Sequence, residues 1–135
     1  MAEKNLIVSG KRKTAIAKAS IKSGIGKVTI NKGAINFFPE LQQLELKEPL
    51  IIAQEVLGKL NFDILVRVTG GGIASRIEAA RLAIARAIVE FTKNIKLRQA
   101  YLAYDRNMLI ADTRRKEPYK PGDSKARAKR QSSKR

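Results

Sequence analysis

The sequence predicts an α/β body, strands covered by helices, that carries a long basic tail. Three observations predict it. Residues 15–21 and 62–68 alternate in polarity at the period of a strand, and residues 73–91 repeat apolar side chains at the period of a helix. The last 23 residues, Thr113 to Arg135, have no apolar periodicity. The expected division is a globular body over residues 1–112 and an extended basic tail over residues 113–135.

Composition bounds the function. A chain of 135 residues with 44% hydrophobic content suits one domain with a real core. With Lys+Arg 28 against Asp+Glu 12, the natural partners are phosphates. An anionic membrane could serve, but no apolar run approaches the ~20 residues of a spanning helix, and no membrane partner is expected. The N-terminal apolar stretch is too short for a signal peptide. The absence of Cys and His excludes disulfide scaffolds, Cys/His metal sites and His-dependent triads.

Leu6 to Val8 is a short β-prone run ending at Ser9-Gly10, followed by the basic cluster Lys11-Arg12-Lys13. Ala15, Ala17, Ala19 and Ile21 then alternate with Thr14, Ile16, Lys18, Ser20 and Lys22. One face is small and apolar, fit to pack on a helix. The other is polar and basic, with Ile16 out of pattern. After the turn residues Ser23 to Gly26, Lys27 to Ile30 reads as the returning arm of a hairpin, and Asn31-Lys32-Gly33 as a second turn.

Phe37 and Phe38 lead into a short helix at residues 39–44 with Pro39 in its first turn. Pro49 then starts a second, Leu50 to Leu57, stopped by Gly58. Neither carries a chemical site, and both read as cover for the sheet. In the clearest strand, Phe62, Ile64, Val66 and Val68 face one way and Asp63, Leu65 and Arg67 the other.

Beyond Gly70-Gly71-Gly72, Ile73, Ile77, Ala80, Ile84, Ile88 and Phe91 form the core stripe of the strongest helix. Leu82 and Val89 point to a second layer. A third stripe, Arg76, Ala79, Ala83 and Arg86, would let another chain approach closely, but an exposed face with Ala chosen for helix propensity is the simpler reading. Asn94 stands as N-cap of a helix over Ile95 to Tyr104, with Leu97, Tyr101 and Tyr104 as its apolar edge. Asp105 to Asn107 turns the chain, and Met108 to Ala111 reads as a short extended run.

The tail holds ten Lys or Arg and two acids, which is half of the chain's +16. It cannot bury enough apolar surface to offset its own ordering entropy, so alone it is disordered, or a polyanion orders it. Ala126, Ala128, Ser132 and Ser133 are small enough for the backbone to lie close to RNA.

A strand, three glycines and a helix make a phosphate cradle in principle. The P-loop pattern is not met, and the dinucleotide pattern fails at Ser75, where it needs glycine. No acidic cluster offers a magnesium site, and Glu78 reads as a surface charge. The loop is therefore either a structural tight turn or a non-catalytic phosphate contact, and no cofactor or small-molecule substrate is expected.

Gly70-Gly71-Gly72-Ile73-Ala74-Ser75-Arg76, with Ala79, Ala83, Ala85, Arg86, Ala87 and Ile88, resembles the signature of the small-subunit ribosomal protein S9 family. Arg76 stands where that signature has Gln, keeping a long hydrogen-bonding side chain and adding charge. Lys11 to Ala17 resembles the family's N-terminal basic motif, and Ser133-Lys134-Arg135 its ending. The run Asp112 to Pro118 looks like the archaeal and eukaryotic branch.

The resemblance implies an α+β two-layer sandwich, a mixed sheet covered by helices. That is the fold of the second domain of small-subunit ribosomal protein five, with a left-handed βαβ crossover against the general rule. It also implies a non-enzymatic structural protein of the cytoplasmic small ribosomal subunit. Its partners would be the 3′ major domain of the ribosomal RNA in the head, neighbouring head proteins and P-site transfer RNA. Lys134 and Arg135 would reach the transfer RNA backbone. Ribosomal RNA would meet Lys11, Arg12, Lys13, Lys18, Gly70, Gly71, Gly72 and Arg76 on the body. On the tail it would meet Arg114, Arg115, Lys116, Lys120, Lys125, Arg127, Lys129 and Arg130. The rival readings are a small-molecule kinase, built on the same fold with a glycine loop, and a general nucleic-acid chaperone.

Overall fold

A computed structural model describes residues 5–35, 38–111 and 113–114. Five strands form one mixed sheet, and three helices cover one of its faces. In chain order the elements are β1 (Leu6–Arg12), β2 (Ala15–Ser23), β3 (Val28–Ile30), β4 (Gly33–Ala34), α1 (Glu40–Leu57), β5 (Phe62–Thr69), α2 (Ile73–Thr92) and α3 (Ile95–Tyr104). The sheet order is β1-β2-β5-β3-β4. All neighbours are antiparallel except β3 and β5, whose parallel pairing is bridged in sequence by α1.

The alternation holds where the sequence was most regular. Ala15, Ala17, Ala19 and Ile21 of β2, with Phe62, Ile64, Val66 and Val68 of β5, are buried on the helical side. Their small and branched side chains fill the layer against Ile77, Ala80, Ile84 and Ile88 of α2. Phe62 and Phe91 meet edge to face, with ring centroids 6.0 Å apart. Asn94 caps α3 as expected, its side chain accepting from the backbone N–H groups of Lys96 and Leu97.

Six expectations about the fold are corrected. First, β1 does not end at Gly10 but runs on through Arg12. Gly10 is mid-strand because a Cβ there would lie 2.6 Å from the Ala79 carbonyl oxygen and 2.7 Å from the Ala83 nitrogen. Second, the Ala79–Ala83 stripe is therefore not an exposed face. Both alanines are fully buried against β1, and their small size sets the strand–helix distance. Third, β3 does not return along β2. The 24–27 loop is gathered by one carboxylate oxygen of Asp63, which accepts from the N–H groups of Ile25, Gly26 and Lys27. That turn hands β3 to the far side of β5, where Ile30 pairs with Val66.

Fourth, the two short helices are one, α1, with Pro49 inside it. Proline there forfeits a helical hydrogen bond and costs about 3 kcal/mol or more in isolation. Burial of Leu46, Pro49 and Ala53 on one stripe outweighs it, and Tyr101 Oη donates to the Pro49 carbonyl at 2.6 Å. Fifth, Met108 is not in an extended run but ends a 3-10 turn over Arg106–Met108 and is fully buried. Sixth, the core stripe of α2 begins later than expected, because Ile73 is 69% exposed.

Candidate nucleic-acid interface

The β1–β2 hairpin tip holds the basic cluster. Lys11 and Lys13 are exposed, and Lys13 takes a left-handed conformation with φ 54° to close the turn. Arg12 turns inward instead, its Nε donating to a Glu78 carboxylate oxygen at 2.5 Å. Glu78 is therefore no idle surface charge, since it ties the hairpin to α2.

The glycine loop lies against this tip. Gly70 and Gly71 have φ 75° and 70°. A Cβ on Gly70 would meet the Thr14 carbonyl oxygen at 2.6 Å, and one on Gly71 would meet Ala15 Cβ at 2.8 Å. Packing alone thus explains those glycines. Gly72 differs, for it has φ −87° and open space where a Cβ would go. It is the N-cap of α2 and offers no capping side chain. Arg76 is exposed, and its Nε donates to the Gly70 carbonyl at 2.9 Å, a bond that a Gln amide can also make.

The root of the tail comes to the same end. Arg114 lines a small cleft with Lys11, Arg12, Glu78, Arg81 and Asp105. Arg81 bridges α2 to Glu48 and Asp105, at 2.5 Å and 3.2 Å. Arg86, expected to present charge outward, is half-buried. It donates to the Leu109 and Ser9 carbonyls and so pins the segment leading to Arg114 along β1.

The sheet face away from the helices is open. Lys18 stands directly opposite Arg67 across β2 and β5. Lys11 lies diagonally from Lys18 across β1 and β2, since Ser9 is the direct partner of Lys18. Directly opposed like charges destabilise a sheet, and neither Lys18 nor Arg67 has an acidic partner among the described residues. Asp63 is on this face too, but the loop N–H groups occupy it; the Lys27 N–H above all, with those of Ile25 and Gly26, holds its carboxyl below the ordinary Asp range. Arg67 was not among the expected contacts. Its alternation on β5 was visible in the sequence, but its register against Lys18 was not.

The structure thus gathers Lys11, Lys13, Lys18, Gly70–Gly72, Arg76 and Arg114 around one end and the open face, adds Arg67, and holds Arg12 in an ion pair. Arg115, Lys116, Lys120, Lys125, Arg127, Lys129, Arg130, Lys134 and Arg135 lie outside the described residues. Among the described residues there is no group of acids fit to hold a metal ion, and no helix is long and apolar enough to cross a membrane.

A family profile described as ribosomal protein S9/S16 matches residues 10–135. The chain is 47% identical over 127 residues to small ribosomal subunit protein uS9 of Methanococcus maripaludis, which covers 92% of this chain and 93% of that one. The protein of the same description from Methanococcus vannielii is 46% identical over the same shares. A profile match across nearly the whole chain, together with relatives matched over more than nine-tenths of both lengths, means that the chain belongs to the ribosomal protein S9/S16 family.

Proposed function

We propose that this chain is a non-enzymatic structural constituent of the small ribosomal subunit in the cytoplasm. Its body docks on the ribosomal RNA of the head, in the 3′ major domain, beside neighbouring head proteins. The carrying observation is the convergence of cations on one end and one open face: Lys11, Lys13, Arg76, Arg114, and the opposed pair Lys18 and Arg67. An unpartnered cation pair in direct register is a cost to the free chain that a phosphate offsets. Residues 1–112 are the docking body and residues 113–135 the reaching tail. Within the tail, Arg115, Lys116, Lys120, Lys125, Arg127, Lys129 and Arg130 track ribosomal RNA phosphates, and Lys134 and Arg135 touch the backbone of P-site transfer RNA.

Two measurements on purified subunits test this. Deleting Lys134 and Arg135 leaves the chain in the subunit but weakens P-site transfer RNA binding; unchanged binding sinks the tail-tip assignment. Replacing Lys18 and Arg67 with Glu lowers retention of the chain through a salt wash, each phosphate contact adding ~0.7–0.9 to the slope of log affinity against log salt. Retention equal to that of the unaltered chain sinks the sheet-face assignment.

A further inference from the structure

One helix of the body has the opposite character. Four of the chain's twelve acids, Glu40, Glu45, Glu48 and Glu55, lie in the 18 residues of α1 beside the single cation Lys47. A chain of net charge +16 thus carries one acidic helix. That helix also has two apolar stripes. Leu46, Pro49 and Ala53 face inward. Leu41, Leu44, Glu48, Ile51 and Glu55 recur at spacings of three and four on the other side, the pattern of a helix face with something to cover.

On that outer stripe Leu41, Leu44 and Ile51 are 76%, 53% and 51% exposed. Tyr104 of α3, also exposed, borders it through a hydrogen bond from its hydroxyl to Glu48. Glu48 is committed to Arg81 and Tyr104. Glu40, Glu45 and Glu55 pair with no cation among the described residues. RNA is poorly suited to this face: the carboxylates repel phosphates, the Leu and Ile side chains offer no platform on which bases stack, and exposed Tyr104 at its border stands against the Glu48 carboxylate.

We propose that the outer face of α1 docks a basic segment of a neighbouring protein, one whose Lys or Arg side chains meet Glu45 and Glu55 while its aliphatic side chains cover Leu41, Leu44 and Ile51. Charge complementarity selects this occupant over RNA or a second copy of this helix, which would set acid against acid. The inference rests on the ribosomal reading above. The body is then two-sided, with RNA on the sheet face and protein on the outer face of α1.

Photo-crosslinking in assembled subunits tests it. Benzoylphenylalanine is placed at Leu44 in the full chain, and at Ile16 on the sheet face for comparison. The expected result is a protein adduct at position 44, mapping to a Lys- or Arg-rich peptide, and an RNA adduct at position 16. Glu45→Lys with Glu55→Lys should cut the position-44 adduct about tenfold, as like-charge contact does at a charged interface. An RNA adduct at position 44, an adduct to a second copy, or no protein adduct in subunits that give the position-16 RNA adduct overturns the proposal. A chain that never enters subunits overturns the ribosomal reading, and this one with it.

Discussion

Gly10→Ala is the sharpest test of how this body is packed. The added methyl would stand 2.6 Å from the Ala79 carbonyl oxygen, 2.7 Å from the Ala83 nitrogen and 3.2 Å from the Ala83 Cα. All three are backbone atoms of a 20-residue helix, so no side chain can swing aside. Relief requires α2 to lift from β1 by ~0.5–1 Å, a gap that forfeits a quarter to a half of each contact across that seam. Overpacking of this kind costs ~1–3 kcal/mol, and the entropy that Ala removes from the unfolded chain returns only ~0.4–1 kcal/mol. Ala79 and Ala83 on the helix side of the seam, and Ala17 paired with Gly10 in the next strand, are all fully buried, and small residues have no slack to repack. A net loss of ~1–2 kcal/mol is expected.

Gly72→Ala is the matched control. Its Cβ would meet nothing within 4 Å, and its φ of −87° suits any residue. Ala is a poorer N-cap than Gly, which offsets the ~0.4–1 kcal/mol of unfolded-state entropy it removes, so the change should stay within ~0.5 kcal/mol of neutral. Urea unfolding followed by far-ultraviolet circular dichroism reads both as shifts in midpoint. If Gly10→Ala unfolds with the unaltered chain, or Gly72→Ala loses as much as Gly10→Ala, the close-approach argument is wrong.

Other consequences follow from the polar contacts. Arg81→Met leaves Glu48 and Asp105 without the cation that joins α1, α2 and the turn after α3; a loss of ~1–3 kcal/mol is expected in the same urea assay. Tyr101→Phe removes the bond to the Pro49 carbonyl and should cost ~1 kcal/mol while leaving α1 intact by circular dichroism. Burial pushes the Tyr101 phenol well above its ordinary range. Its stabilising effect is therefore full below pH ~10 and is lost as pH rises through the folded value, so ultraviolet titration should show Tyr101 ionising only as the body unfolds. Asp63 works in the other direction, since its folded value is depressed. Its contribution is present above pH ~3.9 and lost as pH falls below that, so protection of the Ile25 and Lys27 amides, relative to their intrinsic exchange rates, should fall there; Asp63→Asn should lower it at neutral pH.

Local pattern was legible because it depends on neighbours in sequence. The inward faces of β2 and β5, the stripe of α2 from Ile77 onward and the Asn94 cap all follow from spacing. Pairing was not, because it depends on contacts across the fold. Nothing near Val28 shows that Asp63, more than thirty residues away, will gather its loop and send it to β5. Nothing in α1 shows that Tyr101 will bond to Pro49 and help two apparent helices run as one. Ala79 and Ala83 read as surface because alanine suits an exposed helix, and Gly10, which packs on them, read as the end of a strand. Each misreading concealed the other.

The same division holds for the interface. Lys11, Arg12 and Lys13 are adjacent in the chain and could be read as a patch. The pair Lys18 and Arg67 exists only through the β2–β5 register, and Arg114 shares a cleft with Lys11 far from it in sequence, while Arg86 ties Leu109 to Ser9 of β1. The register that buries Ala17 against Val68 and Ala19 against Val66 also sets Lys18 against Arg67. A one-residue slip would separate the cations, but it would also turn every core side chain of β2 outward. Core packing therefore holds the two cations together against their repulsion, and binding a phosphate across them should raise the stability of the body itself.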